Sequence, residues 1–191
     1  VLCQGGVVDC HPNIAPAPEV CDGQDNNCDG TVDEGCPLTF SGIQNNLPIA
    51  QLVGWSLCYM DTYANQSTTL STIFTQCNKA KLLLGCRVTG DSTLIVAANA
   101  PRADVLLDTG FGDATHDANG VSWYYNTSSS MGFVYQGGAI LKNSCDLNSA
   151  NGSSRLCWHT TGGYLNTGWR CGTTTDLNFI ATHERLVFHR D

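Results

Sequence analysis

The chain has 191 residues, enough for one ordinary domain with a short appendage and a sizeable buried core. Its net charge is −8; residues 1–36 hold seven acidic residues and no basic one, whereas residues 37–191 hold ten acidic and nine basic residues. Because no basic patch is available to displace counterions from phosphates, the sequence argues against nucleic acid as a partner.

The cysteine content is high, at eleven residues, and no CxxC pair gives zinc-ribbon spacing. Disulfide bonds formed in an extracellular, oxidising place are the better interpretation, and 14% charged residues with 20 glycines fit a secreted β protein. No apolar run reaches transmembrane length, so we expect no membrane insertion, and we expect a signal peptide to have been removed. An odd cysteine count predicts one cysteine that is free or paired between chains.

Residues 1–20 are predicted to form an extended N-terminal arm. In "HPNIAPAPEV" each proline favours an extended conformation of the residue before it. The few apolar side chains of the arm would contribute about 1.5–3 kcal/mol each if buried. Ordering the backbone costs about 1–2 kcal/mol for every residue, so this burial does not suffice. We therefore predict that a neighbouring copy of the chain holds the arm, with "GGVVDC" added as a strand to its sheet.

Residues 21–36, "CDGQDNNCDGTVDEGC", contain five acidic residues and no basic one. The oxygens of alternating side chains can converge when such a loop curls, and Gly30 allows a sharp turn. The order resembles an EF-hand loop, with its glutamate at position 10 instead of 12, and hard oxygen ligands select calcium. The alternative is a solvated, disordered acidic linker. The predicted Ca²⁺ ligands are Asp25, Asn27, Asp29, the Thr31 carbonyl and Glu34, with Asp22 and Asp33 as candidates for an outer shell.

Residues 37–191 are predicted to form a mostly β domain, a jelly roll or β-sandwich with one short helix. Glycine, asparagine and serine clusters separate the predicted strands. We expect the last strand to pair with an early one. The predicted strands are 52–60, 81–88, 93–99, 103–109, 121–126, 131–136, 138–143, 155–161, 168–172 and 184–190.

The predicted helix covers "STTLSTIFTQC", residues 67–77. Its apolar residues Leu70, Ile73, Phe74 and Cys77 recur at helical spacing, and Ser67 or Thr68 can serve as N-cap. We predict that Cys77 forms a disulfide with Cys58 and that at least ten cysteines are bonded.

Each of the other candidate sites can be interpreted either as a functional site or as a purely structural feature. A second calcium site could use Asp113, Asp117 and Asn119, although "DANG" is strong turn chemistry by itself, and we favour the turn. A single DTG triplet at 108–110 lacks the second carboxylate of an aspartic protease. No other catalytic motif occurs, so we expect no enzyme. His159 in "CWHTT" is expected to complete a buried or half-buried hydrogen-bond network.

Two surface features could involve glycans. Trp123 and Tyr125, or Tyr124 alone, could form an exposed glycan-binding platform, but we favour the alternative in which the tryptophans fill the core. Three N-x-S/T triplets mark surface positions that could carry glycans, namely Asn65, Asn126 and Asn151.

Residues 18–36 resemble the MopE-type repeat of secreted bacterial proteins and are similar to Excalibur and thrombospondin type 3 calcium loops. The resemblance implies metal binding outside the cell. "GWSLCYMDTY" (54–63), "APRADVLLDTG" (100–110) and "RLCWHTTGG" (155–163) are similar to blocks of an uncharacterised secreted domain that follows such repeats.

That domain resembles jelly-roll subunits of extracellular filaments, in which an N-terminal segment docks on the next subunit. The implied function is a secreted calcium-binding structural subunit that self-assembles head to tail into a filament or surface layer. The alternative is a carbohydrate-binding or adhesive surface module.

Overall fold

The structure is a computed structural model, and it describes residues 19–21, 24–27, 29–33 and 35–191. The chain divides into a small unit, Val1–Thr39 with Leu52–Gly54, and a large unit, Phe40–Gln51 with Trp55–Asp191. Most of the predicted arm, residues 1–18, lies outside the described residues.

Within the described residues the large unit is built of short β-strands with two α-helices. In chain order these are β1 (Gln44–Pro48), β2 (Ser56–Thr62), β3 (Thr68–Thr69), α1 (Leu70–Gln76), β4 (Lys81–Val88), β5 (Thr93–Pro101), α2 (Arg102–Val105), β6 (His116–Ala118), β7 (Val121–Tyr125), β8 (Ser130–Tyr135), β9 (Lys142–Asn143), β10 (Cys145–Asp146), β11 (Arg155–Thr161), β12 (Tyr164–Leu165), β13 (Arg170–Cys171) and β14 (His183–Arg190).

The first sheet has five strands in the order β1-β5-β4-β14-β2, and every pair is antiparallel. Strand β4 is buried without interruption from Leu82 to Cys86, so the side chains on both faces of this central strand are shielded from solvent. Strand β14 lies between β4 and β2, which confirms that the last predicted strand pairs with an early one.

The second sheet follows the order β3-β12-β11-β8-β7-β6, with β13 also paired to β11. Strands β6 and β7 form a hairpin in which Ala118 pairs with Val121. Its two turn residues, Asn119 and Gly120, have φ of 50° and 74°, as a two-residue type I′ turn requires. The two antiparallel sheets therefore form a β-sandwich, which confirms the predicted fold class.

Alternation along β11 assigns its buried apolar side chains to two different clusters. On β11, Leu156 and Trp158 belong to the main core, whereas Cys157 belongs to a smaller cluster. Successive strand residues point to opposite faces, so this smaller cluster lies on the outer face of the second sheet. Its buried members are Tyr124, Val134, Ile140, Cys145 and Cys157.

Four disulfides link the described residues. In the large unit Cys58–Cys77 joins β2 to the end of α1, as predicted, Cys86–Cys171 joins the two sheets, and Cys145–Cys157 joins β10 to β11. In the small unit Cys21 bonds Cys36. Cys3, Cys10 and Cys28 lie outside the described residues, so a tenth bonded cysteine stays a prediction. No helix among the described residues combines the length and apolar character needed to cross a bilayer.

Helix α1 confirms the predicted apolar stripe, because Leu70, Ile73 and Phe74 are buried. The predicted N-cap was wrong by one or two residues. Thr69 occupies that position, and its side-chain oxygen accepts the N–H of Thr72 at 3.0 Å.

The predicted strand 103–109 was wrong, since a second short helix, α2, begins at Arg102. The Arg102 guanidinium donates to the Phe74 and Cys77 carbonyls at 3.0 and 3.2 Å, at the C-terminal end of α1. This tertiary contact outweighs the β-propensity of the valine and leucines that follow.

Two further predicted strands are much shorter than expected: 138–143 contains only β9, and 168–172 contains only β13. In the first, the Leu141 N–H donates to a side-chain carboxylate oxygen of Asp146 instead of a strand carbonyl.

Candidate functional site

The acidic loop of the small unit is held in a curled shape by its own side chains. Asp25 Oδ2 accepts the Gly30 N–H at 3.0 Å, Asn27 Oδ1 accepts the Asp29 N–H at 2.9 Å, and Asp29 Oδ1 accepts the Thr31 N–H at 2.8 Å. The last two are Asx turns, in which a side chain bonds the backbone two residues further on. Gly30 has φ of 95°, which confirms the sharp turn predicted there.

The Glu19 carboxylate bonds two backbone N–H groups of this loop, a role that the sequence did not indicate. Its Oε1 accepts the Asn27 N–H at 2.7 Å, and its Oε2 accepts the Asp33 N–H at 3.2 Å. The disulfide Cys21–Cys36 closes the same segment. The curled shape of the loop is therefore stabilised by Glu19 and the disulfide, which lie outside the alternating motif, as well as by the side chains of the motif itself.

One carboxylate oxygen of the loop fits a cation. Asp25 Oδ1 is buried and accepts no hydrogen bond from the part of the chain that the structure describes. A buried carboxylate oxygen without a partner is unfavourable unless a positive group neutralises it. The neighbouring oxygens of Asn27 and Asp29 supply the hard donors that calcium prefers. Val32, the apolar residue between Thr31 and Asp33, is 55% exposed.

Part of the predicted ligand set lies outside the described residues. Glu34 and Asp22 are in this group. Among the described residues, no three His, Cys, Asp or Glu side chains gather into a group that could hold a metal ion.

The residues proposed for a second calcium site bond to separate parts of the large unit. Asp113 Oδ1 accepts the Lys142 N–H at 2.7 Å, whereas Asp117 Oδ1 accepts the Ser122 hydroxyl. Asn119 occupies the β6–β7 turn, and its Nδ2 donates to the Asn99 carbonyl at 2.9 Å. Asp117 and Asn119 belong to the β6–β7 hairpin, whereas the Asp113 contact joins its loop to β9.

Asp108 of the DTG triplet is likewise engaged locally. Asn126 Nδ2 donates to its Oδ1 at 3.0 Å and the Gly110 N–H does so at 2.8 Å. These two hydrogen bonds lower the pKa of Asp108 below its ordinary value, so the carboxylate is ionised at neutral pH.

The three N-x-S/T asparagines differ in accessibility. Asn151 is exposed, Asn65 is half-buried with its Oδ1 accepting the Ser67 N–H at 2.8 Å, and Asn126 is buried against Asp108. The aromatic platform is contradicted, because Trp123 and Tyr124 are each 1% exposed. Trp55 and Trp158 are buried as well, which confirms the interior position of three tryptophans, whereas Trp169 is half-buried against the smaller cluster.

The fold and the disulfides define this chain as a disulfide-linked β-sandwich joined to a small acidic loop unit. Comparison with protein-family models, with curated proteins and with solved structures finds no match.

Proposed function

We propose that this protein is an extracellular calcium-binding structural subunit that assembles head to tail with copies of itself. Residues 1–20 of one copy would add a strand to the first sheet of the next, giving a filament or surface layer. The proposal rests on the position of β2, which lies at an edge of the first sheet. Four disulfides among the described residues support an oxidising compartment such as the extracellular space.

Strand β2 has the features of an acceptor for an added strand. Among the described residues β2 pairs with no strand other than β14, so its other edge has no strand partner. At the end of this edge the Thr62 N–H bonds Asp61 Oδ1, and the Thr62 carbonyl accepts from Arg185. A β-bulge at Cys58 places Leu57 and Met60, which are 48% and 45% exposed, on the outer side of the strand. Its charged residue, Asp61, lies near one end, so the apolar part of this exposed edge is a template for a neighbouring chain.

The calcium loop would fix the base of the arm. Asp25, Asn27, Asp29, the Thr31 carbonyl and Glu34 would hold the ion, whose positive charge offsets the repulsion among the carboxylates. The Asx turns and Glu19 hold the loop near this shape in advance, so binding orders few additional residues. A rigid loop would then set the direction in which the arm leaves the subunit.

Replacing Asp25 with alanine is expected to weaken calcium binding by the full chain at least about tenfold, or about 1.4 kcal/mol. The reason is that the substitution removes both the unpaired Oδ1 and the Oδ2 that bonds Gly30. Calorimetric titration with CaCl₂ measures the effect. D176A, at an exposed aspartate of the large unit, is the matched control and should bind calcium as the unaltered chain does. Equal affinities of D25A and D176A would contradict the proposed site.

The double substitution Leu57→Glu with Met60→Glu is expected to raise the concentration needed for assembly at least about tenfold. Two added carboxylates on β2 would repel the acidic arm. Because both positions are exposed, the buried side chains of the strand would be unchanged. Light scattering and electron microscopy of the full chain in calcium measure assembly, with and without EDTA. The control is L141E/F111E, at two exposed apolar residues away from β2, which should assemble normally.

A chain that begins at Pro37 tests whether the N-terminal region is needed for assembly. It lacks the arm and the loop, so it should stay monomeric under conditions in which the full chain assembles. If both chains have the same mass at high concentration with calcium present, the arm is not an assembly device. The adhesive-module alternative would then be favoured.

A further inference from the structure

A polar cleft of about 270 Å³ lies around His159 in the large unit. His159 is on β11 and alternates with Trp158 of the main core, so its side chain emerges on the outer face of the second sheet. The cleft is lined by Ser128, Ser129, Ser144, His159, Thr160, Thr161, Asn166, Thr167, Asn178 and Phe179.

Unfavourable backbone conformations concentrate at this cleft. Eight described residues other than glycine have positive φ, and five of them are Asn or Asp, which tolerate that region. The remaining three are Ser144, Thr167 and Phe179, with φ of 60°, 50° and 63°, and all three line the cleft. Strain at a β-branched and an aromatic residue persists only where surrounding contacts enforce it, and it clusters at functional sites.

The contacts that enforce this conformation are well defined at Thr167. Its N–H donates to the Asn65 carbonyl at 3.1 Å, its carbonyl accepts from Arg185 Nη1 at 2.7 Å, and its Oγ1 accepts the Phe179 N–H at 2.8 Å. Arg185 is fully buried. Thr167 and Phe179 are therefore held rigidly, although the Phe179 side chain itself is 61% exposed.

The chemistry of the lining is neutral and rich in hydrogen-bonding groups. None of the ten residues is Asp, Glu, Lys or Arg. Burial lowers the pKa of His159 below its ordinary value, so its imidazole is neutral at pH 7 and offers one donor and one acceptor. Serine and threonine hydroxyls and asparagine amides can also both donate and accept.

Phe179 adds the one large apolar surface of the cleft. Its side chain is 61% exposed, so one face of the ring is accessible to a ligand. The face of the ring carries negative potential, which attracts the weakly positive C–H groups of an apolar ligand face.

We propose that this cleft binds a neutral saccharide, with Phe179 stacking on the C–H face of one sugar ring and the polar lining bonding its hydroxyl groups. The volume lies just below the range of about 300–1,000 Å³ typical of drug-sized ligands, which suits one or two sugar rings. A peptide adding a strand is disfavoured, because the backbone of β11 is bonded on both sides, to β8 and to the segment 164–171. This site does not depend on the assembly proposed above.

The test measures binding of the full chain to a panel of neutral hexasaccharides, namely those of cellulose, laminarin, mannan and chitin, by calorimetry and by saturation-transfer NMR. At least one should bind, and Phe179→Gly should weaken that binding tenfold or more. Glycine favours φ near 63°, so F179G should unfold at the same or a higher temperature than the unaltered chain. Phe111→Ala, at a phenylalanine that is 68% exposed outside the cleft, is the matched control and should bind normally.

Each outcome bears on the proposal. Lost binding in F179G with unchanged or increased stability, and normal binding in F111A, support it. Phe179→Tyr keeps the aromatic face and should retain binding within about threefold. The proposal is overturned if no neutral hexasaccharide binds at 10 mM, if F179G binds as well as the unaltered chain, or if only a sulfated heparin hexasaccharide binds.

Discussion

Replacing Asp146 with alanine is expected to lower the free energy of unfolding by about 3–5 kcal/mol, because it leaves two largely buried guanidinium groups without their carboxylate. Asp146 and Arg155 are both 0% exposed, and Arg155 Nη1 lies 2.5 Å from Asp146 Oδ2. Arg170 Nη1 lies 3.6 Å from the same oxygen.

The other carboxylate oxygen of Asp146 holds the backbone around it. Asp146 Oδ1 accepts the N–H groups of Leu141 and Asn148 at 3.1 and 3.0 Å. Alanine would also leave these groups unpaired. Asp146→Asn keeps an acceptor oxygen for them but removes the charge, so D146N should lose less stability than D146A. The two variants separate the hydrogen-bond contribution from the ionic one.

Urea unfolding of the full chain without reducing agent measures these free energies. The control is Asp191→Ala, which removes an exposed ion pair in which Lys79 Nζ lies 3.4 Å from Asp191 Oδ2. An exposed pair of this kind contributes about 0–1 kcal/mol. If D146A lowers the free energy of unfolding no more than D191A does, the buried ion pairs and hydrogen bonds of Asp146 do not stabilise the fold.

Replacing both Cys86 and Cys171 with alanine is expected to lower the free energy of unfolding by about 4.5 kcal/mol through chain entropy. The disulfide joins residues 85 positions apart, so its loss frees a long loop in the unfolded chain. Both cysteines are fully buried in the main core, where smaller side chains leave a cavity and add to the loss. This bond also connects β4 of the first sheet to β13 of the second.

The matched control is the double substitution of Cys58 and Cys77, whose separation is 19 residues. The same relation gives a loss of about 3 kcal/mol for this pair. Urea unfolding of both variants, with mass spectrometry to verify the remaining disulfides, compares them directly. A loss for C58A/C77A equal to or greater than that for C86A/C171A would show that loop length does not govern the effect here.

The parts of the fold that the sequence predicted well are those encoded by continuous local runs. Strands β4 and β11 have the predicted bounds, because each contains a continuous apolar run, 82–86 in β4 and 156–158 in β11. Strands β3 and β12 have only two residues each and are defined by their partners, so no periodicity could mark them. Helix α2 was missed because a contact from Arg102 to α1 determines it.

The same distinction applies to the two candidate sites. The hydrogen bonds of the acidic loop mostly arise within a few consecutive residues, so alternating Asx residues with a glycine sufficed to predict its curled shape. Glu19 was missed because it reaches the loop from outside that run. The saccharide cleft draws on five separated segments, and its left-handed Thr167 and Phe179 carry none of the glycine or asparagine signals that mark such positions.

The central position of β14 has a consequence for the order of events during synthesis. Residues 183–190 fill the gap between β2 and β4, and they leave the ribosome after every other strand of the first sheet. Until then β2 has no partner within its sheet, and the apolar strand β4 has one open side. The first sheet therefore cannot close until residues 183–190 have been synthesised, and before that point the open edge of β4 is exposed to mispairing and aggregation.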